Sequence, residues 1–250
     1  MALQLNEPGE NTYTEFRGKT IDKMPELDAQ GLIPASVAHI MQRRLDALEF
    51  TESVKNNWWM YDFDTGDTIV TNRSGGIKIV LDSQEAWKIN TESILQNNAL
   101  VIPYGHDIQY VVMQLSEREV AKYATGKPQT FTQALGNPIL RALARDERLH
   151  EEHTRALFKK AKSDFGYNVA MPINISRDDG AQSLRLWTIG RVKGFDYDDP
   201  ISSLDGSNGL NYHGRIVGMT PSLEQVMKTS SKQAIRKMES SCMEPSSSYR

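Results

Sequence analysis

The feature that most constrains this chain is the stretch 137–166, NPILRALARDERLHEEHTRALFKKAKSDFG, which predicts one long helix. Asn137 is a good N-cap, and Pro138 falls at the first helical position, where its missing N–H costs nothing. Gly166 suits a left-handed C-cap. Lys159, Lys160 and Lys162 put positive charge in the closing turns, where the helix dipole favours it. At about 100° per residue, Ile139, Leu143, Leu149, Leu157 and Ala161 share one face, as a helix packed on a core requires. Asp146, His150 and His153 fall in the middle of that same face.

The remaining elements do not repeat the strand–helix cadence of a parallel sheet. In 34–50, Val37, Ile40, Met41, Leu45 and Leu48 recur at helical spacing, with Pro34 opening the helix and Arg43, Arg44, Asp46 and Glu49 on its wet face. After the aromatic run WWMYDFD, residues 68–72 and 77–81 read as two strands across a Gly-containing turn at 73–76. Ser83 starts a short helix, and Ser116 with Glu119 forms a capping box for another. Further strands are expected at 99–103, 108–115, 169–175, 184–192 and 215–219, with a Gly- and Asp-rich loop at 194–209. Together these predict an α+β fold, a mainly antiparallel sheet packed against helices with one long central helix. The expected organisation is a loose, polar N-terminal arm at 1–14, one domain at 15–228, and a Ser-rich, disordered tail at 229–250.

Charge and cysteine usage narrow the function classes. A formal net charge of −3 gives no global attraction to nucleic acid or to an anionic membrane. Arg141, Arg148, Arg155 and Lys159 line the far side of the long helix, the usual place for a solvated face. Cys242 is the only cysteine, so neither an intrachain disulfide nor a Cys-based zinc site can form, and a reducing cytoplasm is the expected compartment. No apolar run approaches the roughly 18 residues needed to span a bilayer, and the first residues do not read as a signal peptide.

Two groups of residues carry candidate chemistry. In Asp62-Phe63-Asp64-Thr65-Gly66-Asp67, three carboxylates within six residues can hold a hard divalent cation. The segment also resembles the Asp-x-Asp loop of haloacid-dehalogenase-type phosphatases. That resemblance would make Asp62 a nucleophile, Asp64 an acid–base and Asp178 or Asp179 a distant ligand. That family needs a parallel doubly wound sheet, and the Thr-Gly order is reversed here, so an Asp/Gly turn entering a hairpin is the simpler expectation. The second group is Asp146, His150 and His153, whose spacings of four and three residues stack them on one helical face. They can ligate a divalent ion, pair as acid and base, or simply join helix to sheet through backbone hydrogen bonds.

Other templates fail on spacing. His150 and His153 are three apart, not the four of a zincin helix, and Glu147-x-x-His150 has no second copy for a di-iron bundle. No phosphate-binding Gly-x-x-x-x-Gly-Lys and no Gly-x-Ser-x-Gly elbow occurs. Trp58, Trp59 and Tyr61 lie beside acidic residues and are read as core rather than as base-stacking platforms.

The stretches EFRGKTIDKMPEL, NNWWMYDFDTGDTI, NPILRALARDERL and GLNYHGRIVGM together resemble a group of uncharacterised archaeal proteins. The resemblance implies one fold over most of the chain and assigns no activity. It also makes His150 and His153 a departure from the group, whose corresponding helix carries no His pair. The expected function is therefore a soluble, non-enzymatic binding or interaction protein. The alternative is a metal-dependent hydrolase of phosphoester or nucleotide substrates, acting through Asp62 and Asp64 or the His150 cluster.

Overall fold

The β-branched alternation of residues 68–81 forms the hairpin that its sequence predicts. Strand β3 (Phe63–Thr71) pairs antiparallel with β4 (Ile77–Val80), Thr68 opposite Val80 and Thr71 opposite Ile77. The computed structural model describes residues 2–103, 105–176, 182–192 and 202–221. It divides into two units, Met1–Met219 and Thr220–Arg250; the fold below is that of the first. The tail expected at 229–250 lies outside the described residues.

In the first unit, β3 lies at the centre of a mixed, mostly antiparallel sheet. On one side it meets β11 (Ser183–Ile189), which continues through β12 (Leu204–Gly206) to β10 (Ile173–Ile175). On the other side it touches β13 (His213–Met219), which pairs along its length with β1 (Tyr13–Lys19). Residues 215–219 thus form a strand as expected, extended by two residues. The β13–β3 and β10–β12 pairings are parallel, and the other ladders of this sheet are antiparallel.

Alternation along β3 gives the sheet two apolar faces. Phe63 and Ile69, with Trp187, Ile189 and Val217 from neighbouring strands, face the larger core, covered by α2 (Val37–Asp46), α3 (Glu52–Met60) and the helices after residue 137. Val70, Leu184, Leu186 and Ile216 face the smaller core, closed by α1 (Thr20–Ala29) and by Ala86, Ile89, Ile102 and Ile108. Trp58 and Trp59 are core residues, as read from the sequence. They are fully buried, and their indole N–H groups donate to the carbonyls of Leu5 and Arg44 at 3.0 and 2.9 Å.

Four expectations about the elements need correction. Arg43 and Arg44 do not lie on a wet face of α2 but are buried. The helix expected over 137–166 is two helices, α7 (Pro138–Ala144) and α8 (Glu147–Phe165). Arg145 between them is left-handed (φ 64°), and its guanidinium pairs with Asp67 and Asp82, contacts that a continuous helix would not give it. The described residues 2–14 are not a loose arm. Leu5 is buried in the larger core, Arg43 binds its carbonyl, and Leu3 N–H donates to Glu15 at 2.8 Å. Helix α2 starts three residues after Pro34, which lies in the short strand β2 (Ile33–Pro34). Ser36 is the cap, accepting from His39 N–H at 3.2 Å.

Candidate functional site

The hexapeptide at 62–67 is not a turn. It enters and runs along β3, and its carboxylates separate. Opposite it, β11 is shorter by two residues, so that Leu186 faces Thr68 while Thr188 faces Asp64. This bulge keeps the alternation intact, and residues an odd number apart still point to opposite faces. Asp64 therefore faces away from the larger core, and Asp67 faces into it.

On the Asp67 side the carboxylate is fully engaged. Oδ2 accepts from Val37 N–H at 2.9 Å, at the first turn of α2, where the dipole favours negative charge. Oδ1 accepts from Asp82 N–H at 3.0 Å and from Arg145 at 2.5 Å. Burial pulls the Arg145 guanidinium down, but Asp67 and Asp82 outweigh it and hold it above its ordinary range. This is an ion-paired joint between sheet and helices.

On the other face, the register places Asp64, Thr188 and Asp205 in one row across β3, β11 and β12. Thr188 Oγ1 donates to Asp64 Oδ1 at 2.6 Å and accepts from Asn208 Nδ2 at 2.9 Å. Asp205 Oδ1 accepts from the N–H and hydroxyl of Ser207, at 2.7 and 2.5 Å. The row forms the floor of a pocket of about 260 Å³, completed by Asp62, Gly190, Arg191, Ser203 and Asn208, and by His213, Gly214 and Arg215 of β13. Asp64 is 8% exposed. Burial pushes its carboxyl up to about 6; Thr188 opposes this, and the charges of Asp62 and Asp205 add to it.

The pocket is braced from behind by a buried arginine. Arg44 of α2 donates to the carbonyls of Trp58 at 2.9 Å, Tyr61 at 3.3 Å and Gly190 at 2.9 Å, and to Ser202 Oγ at 3.2 Å. Burial lowers it to about 10, against the pull of Asp62, so it remains charged at neutral pH. At the rim, Arg191 N–H donates to Asp62 at 2.7 Å, while Arg215 binds Glu15 at 2.9 Å and stacks over Tyr61. Gly214 leaves room for the central carboxylate: a Cβ there would overlap Asp64 Oδ2.

The second predicted group is not assembled. Asp146 is the N-cap of α8, its carboxylate accepting from Leu149 N–H at 2.7 Å in an exposed position, because the break at Arg145 takes it off the helix face. His150 and His153 are buried. Among the described residues, His150 Nε2 and both ring nitrogens of His153 have no hydrogen-bond partner, and His153 stacks on Trp59, with ring centres 5.9 Å apart and planes 7° apart. Burial holds both below the ordinary imidazole range, His153 far below, so both rings are neutral at pH 7. Among the described residues, no three His, Cys, Asp or Glu are grouped to hold a metal ion, so Asp62, Asp64 and Asp67 do not form one set either. Asp178 and Asp179 lie outside the described residues.

Sequence reasoning missed Thr188, Asp205, Asn208, His213 and Gly214. Asp205 sits in what reads as a Gly/Asp loop, and its only local signal is Leu204, an apolar residue inside that loop.

No protein-family model matches the chain, and no curated protein matches it. Among solved structures, it resembles a chain described as "Accommodation of massive sequence variation in Nanoarchaeota by the C-type lectin fold". The two share 17% identity at a TM-score of 0.60, over 85% of this chain and 100% of the other. At that identity the likeness shows the fold alone, and the fold is that of a C-type lectin.

Proposed function

We propose that this chain is a binding protein that receives its ligand in the pocket floored by Asp64, Thr188 and Asp205. The observation that carries this reading is a polar concavity built from four strands and braced by a buried arginine, so its groups are held in place before a ligand arrives. The neighbour's description, in which the C-type lectin fold accommodates massive sequence variation, supports the same reading, since a frame that tolerates variation suits a binding surface. A metal-dependent hydrolase has less support, because Asp67 is turned to the opposite face and engaged there. The test is a fragment library screened against isotope-labelled protein by NMR. Ligands should shift the resonances of Asp64, Thr188, Asp205 and Asn208 together; hits confined to other surfaces would end this reading.

A further inference from the structure

Resting on that reading of the pocket, we infer that its ligand presents an organic cation, an ammonium or guanidinium group, to the row formed by Asp64 and Asp205. Among the described residues, Asp64 Oδ2 and Asp205 Oδ2 take no hydrogen bond, although each carboxylate's other oxygen is bound. The two hydroxyls that touch these carboxylates are already used: Thr188 donates to Asp64, and Ser207 donates to Asp205. The open oxygens of Asp64 and Asp205 are thus acceptors without a donor, and a cationic group that carries several N–H donors satisfies both charge and hydrogen bonding there. Asp64 is the decisive group, a carboxylate more than nine-tenths buried, lining the pocket, with its open oxygen against Gly214. An unpaired buried carboxylate is unfavourable, and an entering cation relieves it.

The neighbouring charges do not supply that cation from within. Arg215 is bound to Glu15, which lies outside the pocket, and stacks on Tyr61. Arg44 is turned to main-chain carbonyls behind the floor. Arg191 binds Asp62 at the rim, and His213 is exposed there. A volume of about 260 Å³ is below the roughly 300–1,000 Å³ of drug-sized sites, which suits one side chain or a short amine.

The experiment is an NMR titration of the full chain at pH 7.5 and fixed ionic strength. The probes are ethylguanidinium, butylammonium, the neutral isostere N-ethylurea, and the anion butyrate. The cations should shift the pocket resonances and bind about tenfold or more tightly than the urea. Asp64→Asn and Asp205→Asn should each remove most of that preference. Capped arginine and capped lysine, set against putrescine, distinguish a polypeptide side chain from a small free amine as the source; tighter binding of either type supports the inference. If urea or butyrate binds the pocket as well as the cations do, the inference falls while the binding pocket stands. If no probe moves pocket resonances, the inference falls, and the fragment screen alone decides whether the binding pocket stands. Unchanged cation binding in Asp64→Asn, with the same pocket shifts, also overturns it.

Discussion

Asp64 and Asp67 come from one hexapeptide, lie on one strand and are both buried, yet they have opposite surroundings. Asp67 has two backbone N–H donors and a guanidinium. Asp64 has one hydroxyl, two carboxylates for neighbours, and an oxygen left open to a cavity. Strand parity separates them, since an odd offset sends two side chains to opposite faces and a two-residue bulge preserves that alternation. Three carboxylates in six residues are a cation site only if the backbone curls around them. On a strand they become two unrelated groups, one holding the fold together and one left free for a ligand.

The largest expected effect tests the structural half of that contrast. Asp67→Ala removes the partner of Arg145 and strands the N–H of Val37, so it should destabilise by about 3–5 kcal/mol, the usual result of breaking a buried charged network. Urea unfolding measures it, and a loss below about 1 kcal/mol would erase the distinction between the two aspartates. Asp64→Asn should act in the other direction. The folded chain holds the Asp64 proton more tightly than the unfolded chain, up to about 6 against 3.8, so ionisation lowers stability as pH rises through that window. Removing the charge should therefore add about 1–3 kcal/mol at pH 7 and almost nothing below about pH 3. A destabilised Asp64→Asn at pH 7 would mean that Asp64, too, is a structural charge.

Gly214 sharpens the contrast further. An added methyl must push the Asp64 carboxylate aside, so Gly214→Ala should destabilise by about 1–2 kcal/mol. In an Asp64→Ala background most of that loss should vanish, whereas with Asp67→Ala the two losses should add. Equal coupling to both aspartates would place the effect in the backbone rather than in the pocket.

How much of this was legible follows from how local each signal is. The hairpin, the Ser116–Glu119 capping box and the buried tryptophans were legible, because period, cap chemistry and turn residues act within a few positions. The α+β class followed from the order of elements. The helix break was not legible: 137–166 has helical periodicity throughout, whereas the left-handed Arg145 pairs with Asp67 and Asp82, 78 and 63 residues away. The pocket was half legible. Asp62 and Asp64 stood out as carboxylates, but their partners Thr188 and Asp205 are set by strand register across more than a hundred residues, which no local pattern carries. His153 misled for a related reason, since helical spacing gives the face of a residue and not whether a tryptophan covers it.

The smallest expected effect lies at that break. Asp146 caps α8 through Leu149 N–H, directly after the residue that reaches Asp67. Asp146→Ala should destabilise by about 1 kcal/mol, the usual result of losing a carboxylate cap. Its partner dependence is more telling than its size. If the cap holds the left-handed Arg145 where it can pair, then once Asp67→Ala has removed the pairing, Asp146→Ala should lose at least about 0.5 kcal/mol of its effect. Combined with Asp64→Asn, on the opposite face of the sheet, the same change should be additive within about 0.3–0.5 kcal/mol. Both double-mutant cycles need only urea unfolding at one pH. Additivity with Asp67→Ala would make the cap a purely local feature of α8, and the joint at Arg145 would then have to be held by Asp82 and the main chain.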